Sequence, residues 1–312
     1  MTEDQKSLNL IQRALDRMQG SESSAPASVE KIMSAQIPLR MSHPSSLPDE
    51  AVAPNKTSSS SPSAAPVRLN MAALRRAGMI NPEIKTSNIA NEFRNIKRKV
   101  LVAARDKQSR ELVNNLVMVT SSLPEEGKTF TSVNLALSLS AEREVQVLLM
   151  DCDLHRPTVQ NFFESAGEAG LSEMLSNGIT DIQGMVHRCD TIPNLGVLFA
   201  GKHMDNSPEL VASTTMHNLL LATSKRYRDQ IIIIDTPPAL TSFEPAILAH
   251  NVQQAILVVS AQRSGRGQVE KALDAISACH NISLLFNRAS KWEQRDTGYY
   301  YNYGPKHDVA QV

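Results

Sequence analysis

The stretch from residue 116 to residue 129 constrains the fold more than any other part of the sequence. An apolar run, Leu-Val-Met-Val-Thr, leads at residues 116–120 directly into a turn, Ser-Ser-Leu-Pro-Glu-Glu-Gly-Lys-Thr, at residues 121–129. Backbone N–H groups at such a turn, at the start of a helix, are typical phosphate ligands. The lysine adds a cation, and the threonine hydroxyl can bind Mg²⁺. The pattern therefore predicts a nucleoside-triphosphate site at the end of a buried strand.

Two aspartates follow apolar runs further along the chain. Asp151 ends the run Val-Leu-Leu-Met, and Asp235 ends the run Ile-Ile-Ile-Ile before Thr-Pro-Pro. A strand-terminal aspartate on its own is often only a turn or capping residue. Two of them downstream of a phosphate turn favour a shared site instead.

Six short apolar runs predict the strands of one sheet. Runs rich in Val, Ile and Leu that alternate with helical stretches are typical of a P-loop-like α/β fold, a parallel sheet with helices on both faces. Ligands of such sheets bind beyond the carboxyl ends of the strands. The turn, Asp151, Asp235 and Asn287 are expected there together. The predicted strands are 116–120, 146–150, 195–200, 231–234, 255–260 and 282–286.

Each residue of this site has an expected role. Lys128 is placed to bridge the β- and γ-phosphates, and Thr129 to bind Mg²⁺. Asp151 and Asp235 can reach the metal directly or through water, since Mg²⁺ binds one or two carboxylates and keeps several waters. Asp153 lies on the same side as Asp151 if the strand continues. One carboxylate of this pair would hold metal and the other would accept a proton from an attacking hydroxyl.

The phosphate turn departs from the usual glycine-rich pattern at two positions. Ser122 stands where the pattern has its first glycine, and Glu125 where a second glycine would help the backbone approach phosphate. A carboxylate so close to phosphate is unfavourable, which predicts weakened nucleotide affinity as one alternative.

Arg156 either steadies phosphate charge or caps the next helix. The predicted nucleotide contacts are Ser122, Glu126, Gly127, Lys128, Thr129, Phe130, Arg156 and Asn287.

Composition divides the chain into four parts. Residues 1–20 form a short amphipathic pattern, which is either a weak helix or a docking element. The interval from Ser21 to Pro66 holds 13 serines and seven prolines, so residues 21–84 are predicted to be a mostly disordered linker in which order resumes near residues 69–79. A nucleotide-binding domain is expected at 85–290, and a flexible tail at 291–312.

Charge and hydropathy exclude several classes of protein. The 32 basic and 32 acidic residues balance, which argues against nucleic-acid binding. The sequence shows neither an apolar stretch of membrane-spanning length nor a secretory signal at its start. A cytoplasmic protein is therefore expected, with any membrane association made through a partner.

A basic amphipathic helix is expected just before the first strand, with Ser87 as its N-cap. The predicted inward side chains are Phe93, Ile96, Val100 and Val102, and the predicted outward ones are Arg94, Lys97, Arg98 and Lys99.

Four of the five tyrosines lie together near the C-terminus, in a polar segment without core periodicity. Such an aromatic cluster can pack on the domain or on a neighbouring chain. Next to a nucleotide fold, it is also a set of candidate phosphoacceptors, because added charge would alter any association that the tail mediates. These residues are Tyr299, Tyr300, Tyr301 and Tyr303.

Residues 86–304 resemble the bacterial tyrosine autokinases of exopolysaccharide synthesis, closest to the cytoplasmic type associated with exosortase systems. The phosphate turn looks like their Walker A motif, Asp151-Cys-Asp153-Leu-His-Arg156-Pro the Walker A′ motif, and Ile-Ile-Ile-Ile-Asp235-Thr-Pro-Pro the Walker B motif. The resemblance implies an ATP- and Mg²⁺-dependent kinase that phosphorylates the tails of neighbouring subunits in a ring. It also implies activation by a membrane chain-length-determinant protein, so that the kinase would lie at the inner face of the membrane.

The sequence departs from this family at several positions. Glu125 replaces a glycine, His155 stands where many members have arginine, and Asn91 and Lys97 replace two residues of the oligomerisation pattern Glu-x-x-Arg-x-x-Arg. Two other functions stay open. One is a positioning-type ATPase, which would carry an additional lysine where this chain has Leu123. The other is a regulatory partner of the chain-length-determinant protein that binds nucleotide weakly.

Overall fold

The computed structural model describes residues 64–84, 87–105, 114–164, 169–204 and 206–289. The predicted helix at residues 1–20, the predicted linker up to residue 63 and the four clustered tyrosines lie outside these ranges.

The described residues form a seven-stranded sheet with the strand order β5-β6-β3-β7-β2-β8-β9. All neighbours in this sheet run parallel except β5 and β6, which are antiparallel. The predicted P-loop-like parallel sheet is confirmed, and the short antiparallel edge strand β5 is an addition. The nine strands are β1 (Arg68–Leu69), β2 (Leu116–Ser121), β3 (Gln146–Asp151), β4 (Phe163–Glu164), β5 (His187–Arg188), β6 (Leu195–Leu198), β7 (Gln230–Asp235), β8 (Gln254–Ser260) and β9 (Ile282–Asn287).

Eight α-helices and one short 3₁₀ helix accompany the strands in the described ranges. None of these helices combines the length and the apolar character that crossing a membrane requires. The α-helices are α1 (Met71–Arg76), α2 (Asn88–Arg105), α3 (Lys128–Ser140), α4 (Leu171–Ser176), α5 (Ser207–Val211), α6 (Thr214–Arg226), α7 (Glu244–Leu248) and α8 (Arg266–Ala275), and the 3₁₀ helix is Val159–Phe162.

The register of the central strands brings the predicted site residues to one edge. In the parallel pairing of β3 with β7, Asp151 lies opposite Asp235, and in the pairing of β2 with β7, Val119 lies opposite Asp235. Strand β2 therefore ends, and its turn begins, beside the ends of β3 and β7. Because β2, β3 and β7 are buried on both faces, only apolar runs suit them, and their polar residues are found where the strands end.

The fold begins earlier than the predicted boundary at residue 85. Strand β1 pairs antiparallel with β4, and Asn70 caps α1 by accepting a hydrogen bond from the N–H of Ala73 at 3.0 Å. Leu74 of α1 is fully buried, and the N–H of Ile80 donates to Asn134 Oδ1 of α3 at 2.7 Å. Residues 64–84 thus pack against the core, so the fold includes the segment 69–79 where order was expected to resume and begins before residue 85. Their partners are distant in sequence, so local composition could not reveal them.

The structure confirms the predicted N-cap of helix α2, but not all of the side chains that were predicted to point inward or outward. Ser87 Oγ accepts the N–H of Ala90 at 3.2 Å, and Phe93 and Val100 are buried, whereas Val102 is 65% exposed. Lys97 was predicted to point outward, but its ammonium lies 2.5 Å from the carboxylate of Glu142, just beyond α3. Val102 lies two residues beyond Val100, and two residues span about 200° of helix.

Replacing Leu74 by alanine should lower the free energy of unfolding by about 2–5 kcal/mol, the range found for fully buried leucines. The reason is that Leu74 is fully buried in α1. Urea unfolding of the full chain measures this loss. Arg76→Ala, at an exposed position of the same helix, is the matched control and should change little. Equal stability of the two variants would show that α1 is not part of the cooperative fold.

Candidate active site

The phosphate turn ends at Gly127, which is the N-cap of α3. Its φ of +102° lies in the left-handed region, and no side chain caps the helix start. A Cβ atom at this position would lie 2.1 Å from Asn287 Nδ2, so a larger residue would collide with β9. The first N–H groups of a helix have no partner within the helix. Here they remain available to an anion at the end of β2.

Two predicted nucleotide contacts hold the turn in shape. Glu126 is buried; one carboxylate oxygen accepts the N–H of Leu123 at 2.9 Å, and the other accepts the hydroxyl of Ser264. Asn287 Nδ2 donates to the backbone oxygen of Glu126 at 2.9 Å. Ser264, which follows β8, and Asn287, at the end of β9, therefore brace the turn through Glu126.

The two positions that depart from the glycine pattern behave differently. Glu125 has a φ of +65°, a conformation that costs a non-glycine residue about 1–2 kcal/mol. Its carboxylate is 76% exposed and lies 3.0 Å from Arg263 Nη1, so an arginine offsets the charge that was predicted to repel phosphate. Ser122 is fully buried, and its hydroxyl makes no hydrogen bond within the described ranges. That unsatisfied hydroxyl lies at the start of the turn, where a bound phosphate could satisfy it.

Three aspartates and one lysine meet beside the turn. Asp151, Asp153 and Asp235 are all buried. Lys128 Nζ lies 2.7 Å from Asp153 Oδ2 and 4.0 Å from Asp235 Oδ2. The lysine can therefore neutralise only one of the three carboxylates when all three are ionised.

Hydroxyl groups of α3 orient Asp235. Thr129 Oγ1 donates to Asp235 Oδ2 at 2.7 Å, and Ser132 Oγ donates to Asp235 Oδ1 at 2.8 Å. Thr129 Oγ1 also lies 2.9 Å from Thr158 Oγ1. The sequence reasoning missed Ser132 and Thr158. Ser132 could have been found from its spacing, because it lies one helical turn after Lys128 and so on the same face.

Backbone groups hold the other two aspartates. Asp151 Oδ1 accepts the N–H of Asp153 at 3.1 Å, and Asp151 Oδ2 accepts the N–H of Val159 at 3.2 Å. Asp153 Oδ1 accepts the N–H of Arg156 at 2.9 Å, and its other oxygen binds Lys128. Backbone N–H groups therefore hold both oxygens of Asp151, whereas one oxygen of Asp153 is held by the side chain of Lys128.

Burial and mutual repulsion shift the pKa values of the cluster. Burial raises the pKa of Asp151 well above its ordinary value, and the charge of Asp235 adds to this effect. Burial also raises the pKa of Asp235, although Lys128 lowers it in part. For Lys128, burial lowers the pKa, but attraction to Asp235 and Asp153 outweighs burial and the net shift is upward. Lys128 is therefore charged, and the carboxylates favour uptake of a further cation.

The side chains of the cluster fit a magnesium ion whose coordination would be completed by the phosphates of a nucleotide. The predicted ligands Thr129, Asp151 and Asp235 meet in the cluster and offer hard oxygen atoms with excess negative charge, which Mg²⁺ prefers. Within the described ranges, no group of three or more His, Cys, Asp or Glu side chains could hold a metal ion by itself. Mg²⁺ usually binds through one or two carboxylates, waters and the phosphates of a nucleotide.

The structure places Phe130 in a contact between two helices and leaves Arg156 exposed. The ring of Phe130 packs edge-on against Phe93 of α2, with centroids 6.3 Å apart, so this side chain joins two helices. Arg156 does not cap the following 3₁₀ helix, whose N-cap is Thr158; its side chain is exposed, and its backbone N–H donates to Asp153. The predicted phosphoacceptors at 299–303 lie outside the described residues.

Known proteins that are similar to this chain include tyrosine-protein kinases. The AAA domain family matches residues 125–285. Tyrosine-protein kinase YwqD of Bacillus subtilis is 30% identical over 213 residues, which cover 68% of this chain and 86% of that protein. Two solved structures are similar at 25% identity. The chimerical protein CapA2B2 has a TM-score of 0.59, with 74% of this chain and 95% of that chain covered. The kinase domain of Escherichia coli tyrosine kinase ETK has a TM-score of 0.54, with 69% and 80% covered.

Replacing Asp235 by asparagine should raise the free energy of unfolding of the protein at neutral pH. The folded-state pKa of Asp235 is raised, so its ionisation opposes folding at neutral pH. This penalty disappears as the pH falls through the raised pKa toward the ordinary carboxyl value. Urea unfolding at several pH values measures the difference.

The gain should therefore be present at neutral pH and shrink in acid. Asp229→Asn, at an exposed position before β7, is the matched control and should show no such trend. Destabilisation by Asp235→Asn at neutral pH would contradict the charge excess.

Proposed function

The chain belongs to the family of bacterial tyrosine-protein kinases, and we propose that it uses ATP and Mg²⁺ to phosphorylate its own C-terminal tyrosines. The observation that carries this proposal is the cluster of Lys128 with three buried aspartates directly beside a phosphate turn. Four tyrosines near the C-terminus supply acceptors in the same chain.

The turn and the start of α3 are suited to hold the phosphates. Backbone N–H groups at Gly127 and the following residues, with the unsatisfied hydroxyl of Ser122, would bind phosphate oxygens. Lys128 would leave its ion pair with Asp153 and bind the β- and γ-phosphates instead. Magnesium, held by Thr129, Asp151 and Asp235, would neutralise charge on the transferring phosphoryl group.

Asp153 is the better placed of the two candidate bases. Asp151 is fixed by two backbone N–H groups, whereas Asp153 would lose its lysine partner when Lys128 binds phosphate. Its freed oxygen would then accept the proton of the tyrosine hydroxyl. The phenolic oxygen forms a bond to the γ-phosphorus, the bond from that phosphorus to the β–γ bridging oxygen breaks, and ADP leaves.

The cellular role follows from the resemblance to the exopolysaccharide kinases. Phosphorylation of the tail would regulate polysaccharide synthesis or export through a membrane chain-length-determinant protein, with the kinase cytoplasmic at the inner membrane. Association between copies would involve the tail and an N-terminal helix. Helix α2 supports a docking role, since Arg94, Arg98 and Lys99 are exposed along it.

The alternative of a weakly binding regulator depends on Glu125. Its left-handed backbone is an observation in favour of that alternative. However, its carboxylate pairs with Arg263, which reduces the repulsion that phosphate would meet. The kinase therefore remains the function that the geometry supports best.

Replacing Lys128 by methionine should reduce phosphotyrosine at 299–303 by at least about 100-fold, because the cation that stabilises phosphoryl transfer is lost. Phosphopeptide mapping after incubation with ATP and Mg²⁺ measures this. Lys225→Met, at an exposed position of α6, is the matched control and should leave labelling unchanged.

Loss of the lysine also leaves buried carboxylates without a counter-charge, which can cost about 3–5 kcal/mol of stability. The double variant Lys128→Met/Asp153→Asn removes one positive and one negative charge together. It should fold, as measured by circular dichroism, and still fail to label. Persistent labelling in either variant would refute the mechanism.

A further inference from the structure

The segment before the first long strand concentrates positive charge in a chain whose total charge is balanced. The described residues between 64 and 105 hold eight Lys or Arg side chains and two acidic ones. Over the whole chain, 32 basic and 32 acidic residues cancel. Such an asymmetry within one chain indicates a surface that meets a negatively charged partner.

Three arginines form a row along helix α2. Arg94, Arg98 and Arg105 are all exposed. At about 100° of turn per residue, they lie within roughly 40° of one another around the helix axis. At about 1.5 Å of rise per residue, they span roughly 17 Å along it. These three residues are named the arginine row below.

The side chains beside the arginine row are uncharged. Asn91, Asn95 and Val102 are exposed and lie within about 60° of Arg98 around the axis. Val102 is 65% exposed although it is apolar. Glu92 is the single acidic residue of this helix, and it lies about 120° from Arg98. The row therefore faces outward without a carboxylate from its own helix beside it.

The opposite side of α2 is fixed to the domain. Phe93 and Val100 are buried, and the ammonium of Lys97 lies 2.5 Å from the carboxylate of Glu142. The helix therefore cannot turn its arginines inward without losing buried contacts and an ion pair.

Helix α2 runs between the two edges of the sheet. Near its start, Phe93 contacts Phe130 in the first turn of α3, on the side of the phosphate turn. Further along, the backbone oxygen of Val100 accepts a hydrogen bond at 3.5 Å from Gln254 Nε2, in the first residue of β8. The arginine row thus lies along the side of the domain. A flat surface that binds the row leaves the phosphate turn accessible.

We propose that the arginine row binds the anionic phosphate headgroups of a lipid bilayer. The inference rests on the membrane location in the proposed function, and it adds direct contact with lipid to attachment through a partner protein. Guanidinium groups donate paired hydrogen bonds to phosphate oxygens. Basic side chains along an amphipathic helix are typical of lipid-binding surfaces, and each one near the membrane strengthens binding roughly 5-fold.

The shape of the surface favours a bilayer. The arginine row stands on the convex outer side of one helix, which suits a flat partner. The exposed side chain of Val102 lies next to the row and can enter the boundary between headgroups and acyl chains, where apolar side chains leave water.

A second copy of the chain is less suited to the same surface. The oligomerisation pattern of the resembling family has glutamate where this chain has Asn91, and arginine where it has Lys97. Asn91 has no charge to pair with a neighbouring copy. Lys97 is already paired with Glu142 of its own chain.

Vesicle cosedimentation of the full chain without nucleotide tests the proposal. One set of vesicles mixes phosphatidylglycerol with phosphatidylcholine, and the other contains phosphatidylcholine alone. The wild type should bind the anionic vesicles and not the neutral ones. Its affinity should fall as salt is added, because salt screens the attraction between exposed charges.

The variant Arg94→Gln/Arg98→Gln/Arg105→Gln should bind the anionic vesicles roughly 30- to 100-fold more weakly than the wild type. Replacing the same three arginines by lysine should restore most of the binding, because the attraction depends mainly on charge. The matched control removes three positive charges from exposed positions outside α2 and should bind nearly as well as the wild type. It is Arg188→Gln/Lys225→Gln/Arg228→Gln.

Val102→Trp tests the same face by a gain of binding. Indole rings prefer the level of the headgroups, so this variant should bind the anionic vesicles more tightly than the wild type. Its tryptophan emission should also shift to shorter wavelength when they are added. Ile179→Trp, at another exposed apolar position, is the control and should show neither change.

Equal vesicle binding by the glutamine variant of the row and by its control would overturn the proposal. A wild type that labels its tyrosines but ignores anionic vesicles would refute this inference alone. In that case, loss of an oligomer in the glutamine variant would assign the row to a second copy, and binding of soluble polyglutamate would assign it to an acidic protein. Absence of phosphotyrosine in a chain that binds the vesicles through the row would refute the proposed kinase activity and support the row.

Discussion

Three buried carboxylates share one lysine at the carboxyl edge of the sheet, and the rest of the site is arranged around this unequal charge. Lys128 reaches Asp153 and Asp235, while the pKa values of Asp151 and Asp235 are raised by burial. Removing like charges from water is costly unless counter-charges are present. This arrangement is therefore suited to take up a divalent cation, and the register of β3 with β7 enforces it by placing Asp151 opposite Asp235.

The strongest sequence signals were local ones, and the structure follows them. Apolar runs long enough to cross a buried sheet predicted all six long strands, and the turn before Lys128 predicted a helix start open to anions. Strand ends in a parallel sheet meet at one edge. That rule predicted that Asp151, Asp153, Asp235 and Thr129 lie close together.

Features that depend on contacts distant in sequence were missed. Residues 64–84 follow a Ser- and Pro-rich stretch, and only pairing with β4 and a bond to Asn134 place them in the core. Lys97 looked like a solvated charge because its partner Glu142 lies 45 residues away. Bracing of the turn by Ser264 likewise depends on how loops from separate strands meet. Such loops carry no periodic pattern in the sequence.

The most direct test of the charge account is calorimetric titration of the wild-type chain with ADP at neutral pH, with and without Mg²⁺. An excess of buried negative charge predicts strong binding of ADP with Mg²⁺ and weak binding without it, since a phosphate anion alone adds to the repulsion. Equal affinity in the two titrations would show that Lys128 and the helix start are sufficient to bind the phosphates of ADP. That result would contradict a site built around a magnesium ion.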